Sequence, residues 1–173
     1  DEAYIEFRDR PLDLLELIRS GSKPNLLLTR TFSKIHGLAG LRLGYGIGGA
    51  EIIAACEKVR QPFNINTMAQ VAALAALDDE DHQRRTKENN AVGLRFFEEA
   101  FRALGLLFVR SHANFVLVKV GDGQRVFNDL QQQGVIVRPM GGYRLPEWIR
   151  ITVGTPAENQ RYLASLKQAL GRA

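Results

Sequence analysis

The chain is 173 residues long, 45% hydrophobic and 24% charged, with a formal net charge of +4. That is ordinary globular composition, enough for one good core or one and a half small ones, and it excludes a disordered or fibrous chain. The basic residues are scattered, with Arg84-Arg85 the one adjacent pair, so a solvated surface is favoured over nucleic-acid binding. Cys56 is single, which rules out an internal disulfide and points to an intracellular, cytoplasmic home. His36, His82 and His112 share no ligand spacing with one another or with Cys56, so no metal site is expected. No apolar run approaches membrane-spanning length, so no membrane partner is expected either.

Taken in order, the chain starts at Asp1 without a methionine, inside an alternating pattern over residues 1–7 that reads as a short strand with nothing before it to pair with; a fragment is expected. Residues 11–20 read as a helix, with Pro11 in its first turn and Gly21 just past its end. Residues 26–31 form the central strand, and two strands joined by one helix predict a βαβ unit. Residues 50–60 are helical, with Ile52, Ile53, Cys56 and Val59 on one face and Pro62 as the breaker. Asn66 caps an alanine-rich helix over 67–77 that is apolar almost all round and is expected to be buried.

The charge cluster at 78–83 marks the expected domain boundary. Residues 81–104 read as one long helix, with Val92, Phe96, Phe97, Ala100 and Leu104 at helical spacing. Strands are expected at 106–109 and 114–120, a helix at 124–132 ended by Gly134, a strand at 135–137 running into Arg138, and a strand at 148–153 carrying Arg150. Thr155-Pro156-x-Glu158 opens a last helix through 170 with an N-cap, a proline at the first helical position and an acid in the first turn. The fold class is α/β: residues 1–78 belong to an α/β domain, and 79–173 make a small α+β domain.

The chemistry gathers in one stretch. Leu26-Leu27-Leu28 feed Thr29-Arg30-Thr31-Phe32-Ser33-Lys34-Ile35-His36-Gly37, and Arg42 follows with glycines at 40, 44 and 46. Open α/β sheets put ligands at the carboxyl ends of strands. Taken singly, most lysines are surface charges. A lysine among apolar neighbours such as Phe32, Ile35 and Leu38, however, can be held as a neutral amine that attacks a carbonyl to form a Schiff base. Arg42, with the hydroxyls of Thr31 and Ser33, offers a planar fork and two donors to a phosphate. Gly44-x-Gly46-x-x-Gly49 matches the dinucleotide fingerprint, but no strand ending in an acid follows the next helix, so that reading is weak.

The ordered set Asp1-Glu2-Ala3-Tyr4, Thr31-x-Ser33-Lys34-x7-Arg42-x-Gly44-Tyr45 and Arg150-Ile151-Thr152-Val153-Gly154 resembles the fold-type I pyridoxal-phosphate aminotransferases, from the first residue to the last. Pro62-Phe63-Asn64-x-Asn66 and Arg138-Pro139…Trp148-Ile149-Arg150-Ile151-Thr152-Val153-Gly154-Thr155 are most similar to the histidinol-phosphate aminotransferase family. The resemblance implies the end of the large domain over 1–78 and the small carboxyl-terminal domain over 79–173. It implies pyridoxal 5′-phosphate as cofactor, with Lys34 as Schiff-base lysine and proton shuttle. Asp1 would lie against the pyridine nitrogen and Tyr4 against the phenolate oxygen, while Thr31, Ser33 and Arg42 would hold the cofactor phosphate. Arg150 would clamp a substrate carboxylate and Arg138 the substrate phosphate. The implied reaction is amino transfer between L-histidinol phosphate and 2-oxoglutarate, in a homodimer when intact.

The same resemblance places a phosphate-binding glycine turn, an aromatic that stacks on the cofactor ring, an asparagine, and a tyrosine reaching across the dimer ahead of Asp1, so the 173 residues alone are expected to be inactive. Arg144, in Gly142-Tyr143-Arg144-Leu145-Pro146, stands where a small residue is more usual. The rival readings are a decarboxylase of a phosphorylated amino acid or another aminotransferase on this fold, and an inactive, dimerising or structural fragment.

Overall fold

The three-leucine run does enter a strand, but the strand turns back on itself rather than crossing over. In a computed structural model that describes residues 1–9 and 11–172, β1 (Leu27–Thr31) pairs antiparallel with β2 (Gly44–Gly48), Thr31 opposite Gly44 and Leu27 opposite Gly48. The expected βαβ unit is therefore absent among the described residues. Its first strand is replaced by a turn and a short 3-10 segment, Ile5–Phe7. The reason is local: Asp1 Oδ1 accepts from Ala3 N at 3.0 Å, and an aspartate bonding the backbone two residues on makes a turn. One contact of strand type survives, Glu2 N donating to Thr29 O at 2.8 Å.

The chain separates into two compact units, Asp1–Lys87 and Glu88–Ala173. In the first, α1 (Leu14–Arg19) is shorter than its pattern suggested, because Asp13 caps it through Glu16 N; α2 (Ala50–Val59) follows Gly49 at its N-cap. In α3 (Thr67–Asp78), Asn66 Oδ1 accepts from Ala69 N at 2.8 Å, the cap its sequence predicts. The burial expected of this helix does not follow. Ala69 and Ala73 are buried with Phe32 and Leu43, but Met68, Val71, Leu74 and Leu77 are exposed. A helix apolar all round needs cover on every side, and among the described residues only its alanine side has it.

α4 (Glu80–Ala103) runs on into the second unit. That unit is a four-stranded antiparallel sheet in the order β3-β4-β6-β5, formed by β3 (Phe108–Val109), β4 (Phe115–Lys119), β5 (Arg138–Pro139) and β6 (Trp148–Thr152). Val116 and Val118 stand opposite Ile151 and Ile149. All four are buried with Phe97 and Phe101 of α4, Val126 and Leu130 of α5 (Gly123–Gln132), and Tyr162 and Leu166 of α6 (Pro156–Ala169). Because side chains alternate across a strand, Leu117, Arg150 and Arg138 share the opposite face. The strand expected at 135–137 is shifted to Arg138–Pro139: Val135 and Val137 are buried in the core, but the segment makes no ladder.

Candidate active site

β1 hands the chain into a turn fastened at both ends. Phe32 N donates to Leu43 O at 3.1 Å and Leu38 N to Phe32 O at 3.0 Å. Thr31 Oγ1 donates to Leu43 O at 3.4 Å while accepting from Ser33 N at 3.0 Å. Gly37, at φ 70°, lets its N–H donate to Lys34 O at 3.0 Å. Phe32 and Ile35 are buried on either side of Ser33 and Lys34, so their burial fixes the turn. Lys34 is half-buried, and its Nζ stands 5.4 Å from the centroid of the Tyr4 ring, close enough for the ring face to attract the ammonium.

Tyr4 is held there by its predecessor. Glu2 is buried, bonds β1 through its backbone, and takes Arg30 Nε at 2.8 Å. That hydrogen bond to Glu2 raises the Arg30 pKa above its ordinary value. Two residues 28 apart thus lash the Asp1–Tyr4 segment to the strand that leads to Lys34. Nothing in the linear pattern signals this pair. Asp1 itself is exposed, its carboxylate engaged with Ala3 N.

Arg42 lies next to Leu43, whose carbonyl receives both Thr31 and Phe32. Its backbone is left-handed, φ 55°, and its Nη1 donates to Ala39 O at 2.8 Å. The strand pairing here is close: a Cβ on Gly44 would meet Arg30 O at 2.8 Å. Gly44 and Gly46 lie within β2, and Gly49 caps α2, so the three glycines of the fingerprint make no phosphate-binding turn: the first two serve strand packing and the third starts a helix. The Ser33 hydroxyl makes no hydrogen bond among the described residues. Lys34, Tyr4, Thr31, Ser33 and Arg42 therefore all belong to one turn and the segment braced beside it.

In the second unit, Arg138 and Arg150 face each other across the β5–β6 ladder. The Arg150 guanidinium lies 4.8 Å from the Phe115 ring centroid, and its Nε is buried with no hydrogen-bond partner. Phe115 as the platform under Arg150 was missed by sequence reasoning; its alternation in β4 marks the face but not the neighbour.

The family model for aminotransferase class I and II matches residues 1–166, and the chain belongs to that family, with the fold-type I architecture. A histidinol-phosphate aminotransferase of Akkermansia muciniphila is 55% identical over 170 residues, taking in 98% of this chain and 46% of that protein. Histidinol-phosphate aminotransferase 2 of Ralstonia nicotianae is 50% identical over 179 residues, 100% of this chain and 47% of that one. The crystal structure of histidinol-phosphate aminotransferase from Sinorhizobium meliloti in complex with pyridoxal-5′-phosphate superposes with a TM-score of 0.88 at 31% identity, covering 99% of this chain and 48% of that one. The chain spans about half the length of the curated relatives it matches.

Proposed function

We propose that the protein to which this chain belongs is a pyridoxal-phosphate-dependent aminotransferase that moves an amino group between L-histidinol phosphate and 2-oxoglutarate, as a cytoplasmic homodimer in histidine biosynthesis. In this reading residues 1–78 are the end of the large domain and 79–173 the small domain. The observation that carries it is the Lys34 turn: one amine over an aromatic ring, in the same turn as two hydroxyls and a guanidinium, in a chain 55% identical to a histidinol-phosphate aminotransferase.

The residues present fit the cofactor. The Ser33 hydroxyl is unengaged, Thr31 is its neighbour through Ser33 N, and Arg42 is exposed. Together they supply the donors and the positive charge that a phosphate monoester takes. Thr31, Ser33 and Arg42 would hold that phosphate, Lys34 would meet the aldehyde end, Tyr4 the phenolate side and Asp1 the ring nitrogen. When bound, the cofactor supplies an electron sink for charge developing at the substrate α-carbon.

The chain's own part is proton handling and binding. Lys34 Nζ would move a proton between the substrate α-carbon and the cofactor C4′, in one direction in the first half of the reaction and in the opposite direction in the second. The Tyr4 ring keeps that amine from swinging away. Arg150 binds the carboxylate of glutamate or 2-oxoglutarate as a fork, its guanidinium over the Phe115 ring. Arg138, opposite it in register, binds the substrate phosphate.

The test is Lys34→Ala in the full-length protein. The wild type should retain pyridoxal phosphate through borohydride reduction and dialysis, with the label mapping to the peptide containing Lys34. The variant should lose the label, and its amino transfer from histidinol phosphate to 2-oxoglutarate should fall by about 10³-fold, the scale of a lost proton-transfer group. Retention of both in the variant would sink the proposal.

A further inference from the structure

We infer that Arg144 is a specificity-determining residue, a third guanidinium that the β5–β6 hairpin presents to the phosphate of a phosphorylated substrate. The inference rests on the functional reading above and adds to it a residue that reading does not use.

The first support is an unbalanced charge. Arg138 and Arg150 stand directly opposite each other, an arrangement that repels unless something negative lies against it. The loop joining their strands adds Arg144 and one acid, Glu147. That acid is taken: Lys119 Nζ on β4 lies 3.1 Å from its carboxylate. Among the described residues none of the three arginines has a carboxylate partner. Three guanidinium groups on one hairpin with no internal counter-charge call for an external anion, and a phosphate near its dianionic state matches several arginines better than a single carboxylate does.

The second support is that the loop is built, not slack. Met140 N donates to Trp148 O at 3.0 Å, Leu145 N to Met140 O at 3.2 Å and Trp148 N to Leu145 O at 3.1 Å, closing the loop on itself. Gly123 N donates to Pro146 O at 2.9 Å and Val120 N to Glu147 O at 2.8 Å, tying it to the turn before α5. The approach is so tight that a Cβ on Gly123 would meet Trp148 O at 2.6 Å and Pro146 O at 2.7 Å.

The third support is backbone strain. Arg144 N donates to Gly141 O at 2.9 Å with the residue in the left-handed region, φ 61°. That conformation favours glycine and costs stability for a residue with a Cβ. An exposed arginine in a strained conformation within a fastened loop, without a carboxylate partner among the described residues, is the kind of outlier found where a side chain has a function. Arg42 is the parallel within this chain: it too is left-handed, at φ 55°, and its proposed role is also to hold a phosphate.

The experiment uses the full-length holoenzyme with Arg144→Gly, Arg144→Lys and, as a charge control beside the far edge strand, Arg110→Gly. Inorganic phosphate is titrated by calorimetry at low ionic strength, and KM and kcat are measured for histidinol phosphate and for unphosphorylated histidinol. Arg144→Gly should weaken phosphate binding about five- to tenfold, the scale of one exposed charge-assisted bond. It should raise KM for histidinol phosphate by the same factor, shrink the preference over histidinol in proportion, and hold or raise the melting temperature. Arg144→Lys should recover part of the loss, and Arg110→Gly should bind phosphate as the wild type does. Phosphate affinity within twofold of wild type in Arg144→Gly, or an equal loss in Arg110→Gly, overturns the inference. A wild type that binds phosphate but does not turn over histidinol phosphate sinks the functional reading instead, while the titration still decides Arg144.

Discussion

Lys34 owes its placement to residues that do no chemistry. Phe32 and Ile35 bury on either side of it, Gly37 turns the chain back, and the Glu2–Arg30 pair holds Tyr4 alongside. Glu2→Gln should therefore loosen the Asp1–Tyr4 segment without touching any proposed ligand. We expect faster hydrogen exchange at residues 1–7 and a weaker hold on pyridoxal phosphate, read by cofactor titration. Gly123 offers a purely steric test. Its would-be Cβ meets two backbone carbonyl oxygens, which cannot yield as a flexible side chain does, so Gly123→Ala should cost about 1–3 kcal/mol in denaturant unfolding. The same substitution at Gly121 is governed by a different term, φ 88° with nothing within 4 Å, and should cost less.

At the scale of elements, the helix ends were the legible part. Asn66 and Thr155 each cap a helix through their side chains as their spacing predicts, because a cap is a contact between near neighbours in sequence; Asp122 does the same for α5, a cap the sequence pattern did not single out. At α6 the cap is reciprocal: Thr155 Oγ1 accepts from Glu158 N while Glu158 Oε2 accepts from Thr155 N at 2.7 Å and Thr155 Oγ1 at 2.8 Å. The hydrogen bonds from Thr155, backbone first, hold the Glu158 carboxyl below its ordinary pKa. A depressed folded pKa contributes stability that is present above the unfolded value and lost as pH falls through the folded one. Glu158→Gln should thus lower the melting temperature at neutral pH and erase part of the difference between neutral and acid melts; equal differences in wild type and variant would refute it. Strand pairing was the illegible part. The pattern of residues 26–31 announces a strand but is silent on its partner, and the partner proved to be the glycine-rich β2 rather than a strand across a helix.

At the scale of the molecule, each unit carries its own core among the described residues: Phe32, Leu43, Ala69 and Ala73 in one, and a cluster that includes Phe97, Phe101 and Tyr162 in the other. In the second, the rings of Phe97 and Tyr162 meet edge to face, with centroids 5.5 Å apart, and burial drives the Tyr162 phenol pKa far above its ordinary value. Phe97→Ala should cost about 3–5 kcal/mol. Hydrogen exchange should show the loss at Val116–Val118 and Ile149–Ile151, with Leu27–Thr31 less affected, since local stability follows the core a segment belongs to.

The sequence by itself determined most of the helices, the Asn66 and Thr155 caps, the family motifs and the identity of the residues with chemistry to offer. Those are written in local spacing, and local spacing survives without a fold. Only the tertiary structure decided which residues stand beside them: Tyr4 under the Lys34 amine, Glu2 against Arg30, Phe115 beneath Arg150, Arg138 opposite Arg150, and the left-handed backbone at Arg144. Each of these depends on register and packing between segments distant in the chain or, at Arg144, on a loop closed by its surroundings. Such distances are set by which surfaces bury against each other, and no pattern of neighbours along the chain encodes them.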